Sequence, residues 1–419
     1  MSLLLKEKVD KKNFKFASKV VVATRLFTAA AVAHAGSVWW REIMKLLHAS
    51  DFHLDSPFDS LPPDKSALRR RELREVPARL ARLAKDEGVD LVLLPGDLLD
   101  GERVYPETLR ALAGALEEMA VPVFIAPGNH DWYHDKSPYA VTRWPDNVYI
   151  FTRSALQSVS LPALNCVVHG CAFTAPRRED DPLAGFTTPD DGRVHLLCVH
   201  GEVAQAGVYA PIAPGSLEHS GAAYAALGHI HAASSGRAGK TLWAYPGCPE
   251  GRGFDELGPK GALVVSFDEP AQLVISSPDG PPMAPIDLGV QPVAAEFVPI
   301  CQRQCRIETV NVEDFTSELS QRESPDLVRF LLAGESRFAP DLAALTAQAA
   351  PHFFHVELRD RTTLPTDLWA RESEDSLTGL FLREMRGRLA CADDSEKDKL
   401  LLAVRFGLAA LEGGEDVRP

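Results

Sequence analysis

Five short stretches of this chain carry side chains able to bind a divalent metal. In order they are Asp51-Phe52-His53, Gly96-Asp97-Leu98-Leu99-Asp100, Gly128-Asn129-His130-Asp131, His200-Gly201 and Gly228-His229-Ile230-His231. Imidazole nitrogen mixed with carboxylate oxygen suits manganese, iron or zinc better than an all-oxygen calcium site. Residues two apart on an extended chain point the same way, so Asp51 with His53, and His229 with His231, can each aim two donors at one centre. Taken singly, each piece has an ordinary explanation: His200 as a hydrogen-bonded structural histidine, Asp97 and Asn129 as turn residues. Five such pieces in order, each behind an apolar run, point to a single site.

The apolar runs must position them. Residues 45–50, 89–94, 121–126, 194–199 and 224–227 read as short strands, and they alternate with helix-like segments from Met44 to about residue 270. That is the pattern of an α/β domain. Continuous apolar runs mark strands buried on both faces, and open α/β sheets bind their ligands beyond the carboxyl ends of such strands. Glycines at 96, 128 and 228 allow the turns that bring the chain back toward an ion.

The 419 residues are 45% hydrophobic and 24% charged, with a net charge of −14. Disordered and fibrous classes are excluded, and at roughly 100–200 residues per domain the length suits two or three domains. No global positive field draws the protein onto nucleic acid or anionic membrane. The charge is uneven, +5 over residues 1–43 and −19 over the rest. Residues 1–43 read as an N-terminal extension, disordered or preceding a natural start at Met44. Residues 20–35 end in Ala33-His34-Ala35 like a signal-peptide cleavage site, but Arg25 interrupts them. No run reaches the roughly 18 uncharged apolar residues of a spanning helix, so no membrane association is expected. Seven cysteines, mostly within apolar runs, fit reduced thiols in a cytoplasmic setting. Cys301 and Cys305 lack a second ligand pair at zinc-finger spacing.

With the five blocks in this order, residues 44–270 resemble the calcineurin-like metallophosphoesterase superfamily. Within it, the opening run from Met44 to Ser56, the Gly96–Asp100 block, and Tyr245-Pro246-Gly247 with Lys260-Gly261 resemble the SbcD-type DNA repair exonucleases. The resemblance implies an α/β fold: a metallophosphoesterase β-sandwich flanked by helices over 44–280, a small α+β capping domain over 286–370, and C-terminal helices over 371–419. It implies two divalent ions, Mn(II) before Fe(II) or Zn(II). Asp51, His53, Asp97 and His231 would hold the first, and Asp97, Asn129, His200 and His229 the second, with Asp97 as bridge. Phosphodiester bonds would be hydrolysed by a hydroxide that the two metals activate. His130 would be the general acid or electrostatic stabiliser, and Asp100 would orient its ring, with Asp131 and Asp55 as alternatives for that role.

The resemblance further implies an exonuclease/phosphodiesterase subunit of a DNA double-strand-break repair complex, with DNA as substrate, an SMC-like (SbcC-type) ATPase as partner, and a homodimer. The alternative is a phosphodiesterase acting on nucleotides or other small phosphoesters without an ATPase. A non-catalytic adaptor would be signalled by loss of a ligand or of His130, and none is lost. A body of net −19 needs a basic groove or a basic partner to hold duplex DNA. Arg69-Arg70-Arg71 with Arg74, and Arg177-Arg178, are the available clusters, with acids interspersed.

Residues 276–282 have the composition of a linker. Beyond them 326–332 and 353–358 read as strands and 342–350 as a helix. Leu377, Leu380, Phe381, Leu382, Met385 and Leu389, then Leu400, Leu401, Val404, Phe406, Leu408 and Leu411, recur at helical spacing. Two amphipathic helices are expected, in the segment that the resemblance assigns to ATPase docking.

Overall fold

The computed structural model describes residues 44–101, 104–267, 272–273, 286–287, 293–336, 339–363 and 365–411. The expected extension over 1–43 and the linker at 276–282 lie outside them. Strands β1 (Met44–His48), β2 (Leu91–Leu94), β3 (Val123–Ile125) and β4 (Val148–Ile150) lie parallel, side by side. A second sheet contains β5 (Gln157–Leu161), β6 (Cys166–Gly170), β7 (Val194–His200), β8 (Tyr224–Gly228), β9 (Ser234–Ala238) and β10 (Thr241–Tyr245), in the order β5-β6-β7-β8-β10-β9. Its four central strands are parallel and its two edges antiparallel. Next come β11 (Gly261–Phe267), the two-residue ladder of β12 (Gln272–Leu273) with β13 (Ile286–Asp287), and β14 (Val293–Pro299). β11 and β14 extend the first sheet antiparallel beyond β1. β14 thus belongs to the first sheet although it falls within 286–370.

The apolar runs are strands because they are covered on both sides. Alternate residues face opposite ways. Leu46, Leu91, Leu93, Phe124 and Val265 of the first sheet meet Val168, Leu196, Cys198, Ala226 and Leu242 of the second, forming the interior of a sandwich. Their sequence neighbours Leu47, Val92, Leu94, Val123 and Val264 face the other way, onto Leu73, Leu80, Leu112 and Leu116 of the helices Pro63–Arg74, Val76–Glu87 and Pro106–Met119. Leu197, Val199, Ala225 and Leu227 pack outward on Leu217 of the helix Pro214–Ser220. Full burial of one such leucine contributes about 1.5–3 kcal/mol. The result is a mixed α/β fold of two facing sheets flanked by helices.

A third sheet, β15 (Cys305–Asn311), β16 (Ser324–Ala333) and β17 (Phe353–Asp360), is all parallel. It has its own core of Val310, Phe315, Val328, Phe330, Leu332 and Phe353. Its crossovers carry the helices Phe315–Leu319 and Leu342–Ala349, the second capped by the Asp341 carboxylate, which accepts from Ala344 N. The helices Leu377–Cys391 and Asp394–Leu411 follow, the first capped by Ser376. They zip together through Leu382, Met385, Val404 and Leu408. Arg405 fastens them to the end of β17 through Asp360 (2.7 Å) and the Thr362 carbonyl. Leu377 and Leu380 stay exposed, at 67% and 57%. No helix among the described residues is long and apolar enough to cross a membrane.

Candidate metal centre

The carboxyl ends of β1, β2, β3, β7 and β8 meet along one edge of the sandwich, and each delivers part of one cluster. The turns there are bound to one another before any side chain is considered: Asp51 N donates to Gly96 O (3.1 Å) and His53 N to Asp97 O (3.0 Å). Asp51 (φ 56°), His53 (46°), Asp97 (50°) and His229 (104°) all adopt the left-handed backbone region. Non-glycine residues rarely do so, at a cost of order 1–3 kcal/mol each, and such strain concentrates at functional sites. Two glycines are required by close approach. A Cβ on Gly128 would lie 2.3 Å from Asp97 Oδ1, and one on Gly228 1.9 Å from the Pro95 carbonyl oxygen.

All seven expected donors converge. Asp51, His53 and His231 can each offer a ligand atom within 4.8 Å of the others, and so can Asp97, His200 and His229. Asn129 Oδ1 lies 2.9 Å from His200 Nε2 and 3.2 Å from His229 Nδ1. Asp97 Oδ2 lies between the two groups, 3.4 Å from His200 Nε2 and 3.8 Å from His53 Nε2.

The outward hydrogen bonds decide what the inner atoms are. His200 Nδ1 meets the Pro95 carbonyl at 2.9 Å; a carbonyl only accepts, so the proton sits on Nδ1 and Nε2 presents a lone pair. His53 Nδ1 meets Asp100 at 3.1 Å and His231 Nδ1 meets Glu256 at 2.8 Å. Against ionised carboxylates both Nδ1 atoms are donors. Their Nε2 lone pairs then face each other at 3.1 Å. Two lone pairs at that distance repel unless a proton or a cation lies between them. The donor set fits a divalent metal, because a histidine ligand fixed by an outer carboxylate or carbonyl is the usual arrangement around one.

The electrostatics agree. Burial lowers His53 and His200 to about 4 and His229 to about 3, leaving all three neutral and able to coordinate at pH 7. Burial and the neighbouring Asp97 raise Asp51 to about 7, the expected response of two acids facing each other without a cation. Burial pushes His231 down, but the Glu256 hydrogen bond together with the charges of Asp51 and Glu256 outweighs it, and the pKa rises.

His130 stands at the rim, its side chain 47% exposed. Its Nδ1 lies 3.2 Å from Asp100 Oδ1, and that hydrogen bond raises its pKa. Burial would raise Asp100, but hydrogen bonds from His130 and His53 hold it far below the carboxylate range. The other two acids are engaged elsewhere. Asp131 accepts from Gly128 N (2.7 Å), Leu98 N (2.8 Å) and Tyr139 Oη (2.6 Å). Asp55 accepts from Tyr105 N and Thr108 Oγ1.

The sequence did not point to Glu256 or Arg252. Both lie in the irregular segment after β10, where no periodicity marks a direction, and only acid and base types in a Gly-rich stretch hint at them. His48, at the end of β1, is structural: its ring bridges the sheets to Tyr224 Oη (2.8 Å) and Leu227 O (3.1 Å). Parts of the basic clusters are also committed. Arg69 is fully buried between Glu72 (2.6 Å) and Glu250 (3.0 Å), and Arg178 pairs with Asp180 (2.8 Å).

Residues 44–233 match the family described as calcineurin-like phosphoesterase. An "Uncharacterized metallophosphoesterase YhaO" of Bacillus subtilis (strain 168) is 29% identical over 234 residues, 53% of this chain and 57% of the relative. The chain therefore spans little more than half of that protein's length. The "DNA double-strand break repair protein Mre11" of Saccharolobus solfataricus is 24% identical over 334 residues, 72% of this chain and 77% of its own.

Proposed function

We propose, from the premise that residues 44–233 are a calcineurin-like phosphoesterase domain, a hydrolase domain acting on phosphoester bonds, that the protein is a metal-dependent exonuclease/phosphodiesterase acting on DNA in double-strand-break repair. The observation that carries the chemistry is the set of imidazoles whose protons are held outward and whose lone pairs converge with Asp51 and Asp97. Asp51, His53, Asp97 and His231 would hold one divalent ion, and Asp97, Asn129, His200 and His229 the other, with Mn(II) the leading candidate. Bound there, the ions supply Lewis-acid polarisation of the phosphoryl group and neutralise the charge it develops. His130 acts on the leaving oxygen: Asp100 holds its Nδ1–H and favours the imidazolium, whose Nε2–H can be given to the leaving oxygen, the ring returning to the neutral Nδ1–H form. Similarity to the Saccharolobus solfataricus repair protein supports DNA as substrate. The exposed Leu377 and Leu380 of one C-terminal helix, and Leu401 and Leu402 of the other, support docking of an SMC-like ATPase.

One observation favours a second reading, a phosphodiesterase for nucleotides or other small phosphoesters. The net charge of −19 beyond residue 43 and the internal pairing of Arg69 and Arg178 reduce what the basic clusters can offer to duplex DNA. The test is incubation with Mn(II) of duplex DNA bearing a free end and, separately, of bis(p-nitrophenyl) phosphate. Degradation of DNA supports the first reading. Hydrolysis of the small ester with DNA intact, even with an ATPase partner supplied, supports the second.

A further inference from the structure

Arg252 is not among the converging donors, yet its guanidinium lies directly behind them. Nε and Nη2 grip Glu256 Oε1 at 3.0 and 2.7 Å, and Nη1 lies 3.7 Å from Asp100 Oδ1. Those two carboxylates are the ones that set the ring protons of His53 and His231. We infer that Arg252 is a positioning residue for the first of the two metal sites: one planar cation ties together Asp100 and Glu256, so that both histidine Nε2 lone pairs are presented to the same ion. The inference rests on the binuclear reading above and adds to it an asymmetry between the two sites.

The asymmetry follows from where each proton is anchored. His231 Nδ1 and Arg252 converge on the same oxygen, Glu256 Oε1, and an ionised oxygen accepting both keeps the imidazole from turning. Glu256 is otherwise loosely held: its second oxygen accepts from Arg252 N (2.7 Å) and the Cys248 thiol (3.5 Å). Arg252 therefore supplies most of its donors, from backbone and side chain alike. His53 depends on Asp100, and Asp100 on His53, His130 and Arg252. The two histidines of the second site are anchored outside this network. His200 is anchored by a backbone carbonyl, and His229 meets Asn129 and the Tyr209 ring. A guanidinium suits the role because its fork can address two carboxylates at once, which a lysine ammonium cannot do with fixed geometry.

The test is the number and affinity of Mn(II) ions bound by the full chain, read by calorimetric titration and by electron paramagnetic resonance, without reference to turnover. The wild-type protein is expected to bind two ions. Arg252→Ala should weaken one of them by roughly 10–100-fold, the usual effect of removing an outer-shell partner, and leave the other unchanged. The retained ion also shows that the fold survives. Arg252→Lys should recover only part of the loss. If Arg252→Ala binds two ions as tightly as wild type, if it loses both equally, or if Arg252→Lys is indistinguishable from wild type, the positioning role is wrong while the binuclear site stands. Fewer than two ions on the wild-type protein would instead remove the binuclear reading itself.

Discussion

Asp131→Asn should loosen the whole edge that carries the site, although Asp131 is not one of the converging donors. The carboxylate is buried, and both oxygens are occupied. Oδ1 accepts from Asp97 N (3.2 Å) and Gly128 N (2.7 Å); Oδ2 accepts from Leu98 N (2.8 Å), Leu99 N (3.2 Å) and Tyr139 Oη (2.6 Å). The turn after β2 and the turn after β3 are thereby pinned to one side chain. An asparagine of the same shape must direct its NH2 at one of those oxygen positions. Tyr139 can rotate its hydroxyl to accept, but in either orientation two backbone N–H groups lose their acceptor and face a donor. At about 1–3 kcal/mol for each buried group left unpaired, the loss is roughly 2–6 kcal/mol, against total stabilities of about 5–15 kcal/mol for a domain. Urea unfolding followed by tryptophan fluorescence reads this directly, since the Trp144 indole donates to Tyr139 O at 3.1 Å. The slope should be unchanged and the midpoint lowered. Tyr139→Phe, which removes one donor and leaves four N–H bonds to Asp131, should cost much less. An unfolding free energy for Asp131→Asn within about 0.5 kcal/mol of wild type, the range of an ordinary surface change, would refute the claim that this carboxylate holds the two turns together.

Three further outcomes are expected. Asp97→Ala should abolish turnover and metal binding together, whereas His130→Ala should retain its ions and slow hydrolysis by roughly 10²–10⁴-fold; equal metal loss by elemental analysis would contradict the separate roles. Arg405→Met should free the two C-terminal helices from β17 by removing the donor to Asp360 Oδ2 and to the Thr362 carbonyl, at about 1–3 kcal/mol, seen as faster amide exchange over residues 394–411 and refuted by unchanged protection there. His48 is lowered by burial from 6.5 to about 3, so the unfolded chain binds its proton first as pH falls. The stability this residue supports is complete above pH 6.5 and declines toward pH 3, and His48→Gln should flatten that part of the stability–pH curve; an unaltered curve would show that the histidine does not titrate as buried.

The positions of the five donor-bearing turns are legible in the sequence because a strand covered on both faces needs an unbroken apolar run, and each of the five runs here ends in a turn that carries a donor. Leu46-Leu47 and Leu91–Leu94 have no polar alternation, since one parity fills the sandwich and the other meets helices. The C-terminal stripes are legible for a similar reason, although Leu377 and Leu380 prove to be exposed while Phe381, Leu382 and Met385 face the next helix. Helical spacing gives a face but not its partner.

What the strand pattern leaves open is pairing between distant parts of the chain. β14 joins β11 rather than the sheet that follows it, because edge hydrogen bonding depends on which strand end is uncovered. Arg69, read from sequence as a cation available to DNA, is instead enclosed by Glu72 and Glu250; a charge carries no mark of its own burial. Glu256 and Arg252 reach the histidines from a loop without periodicity. Residue types and spacing therefore determined which side chains could bind metal and on which edge they would lie. Tertiary structure alone decided which proton each imidazole keeps, because a tautomer is set by the acceptor behind the ring, and chain order does not place that acceptor.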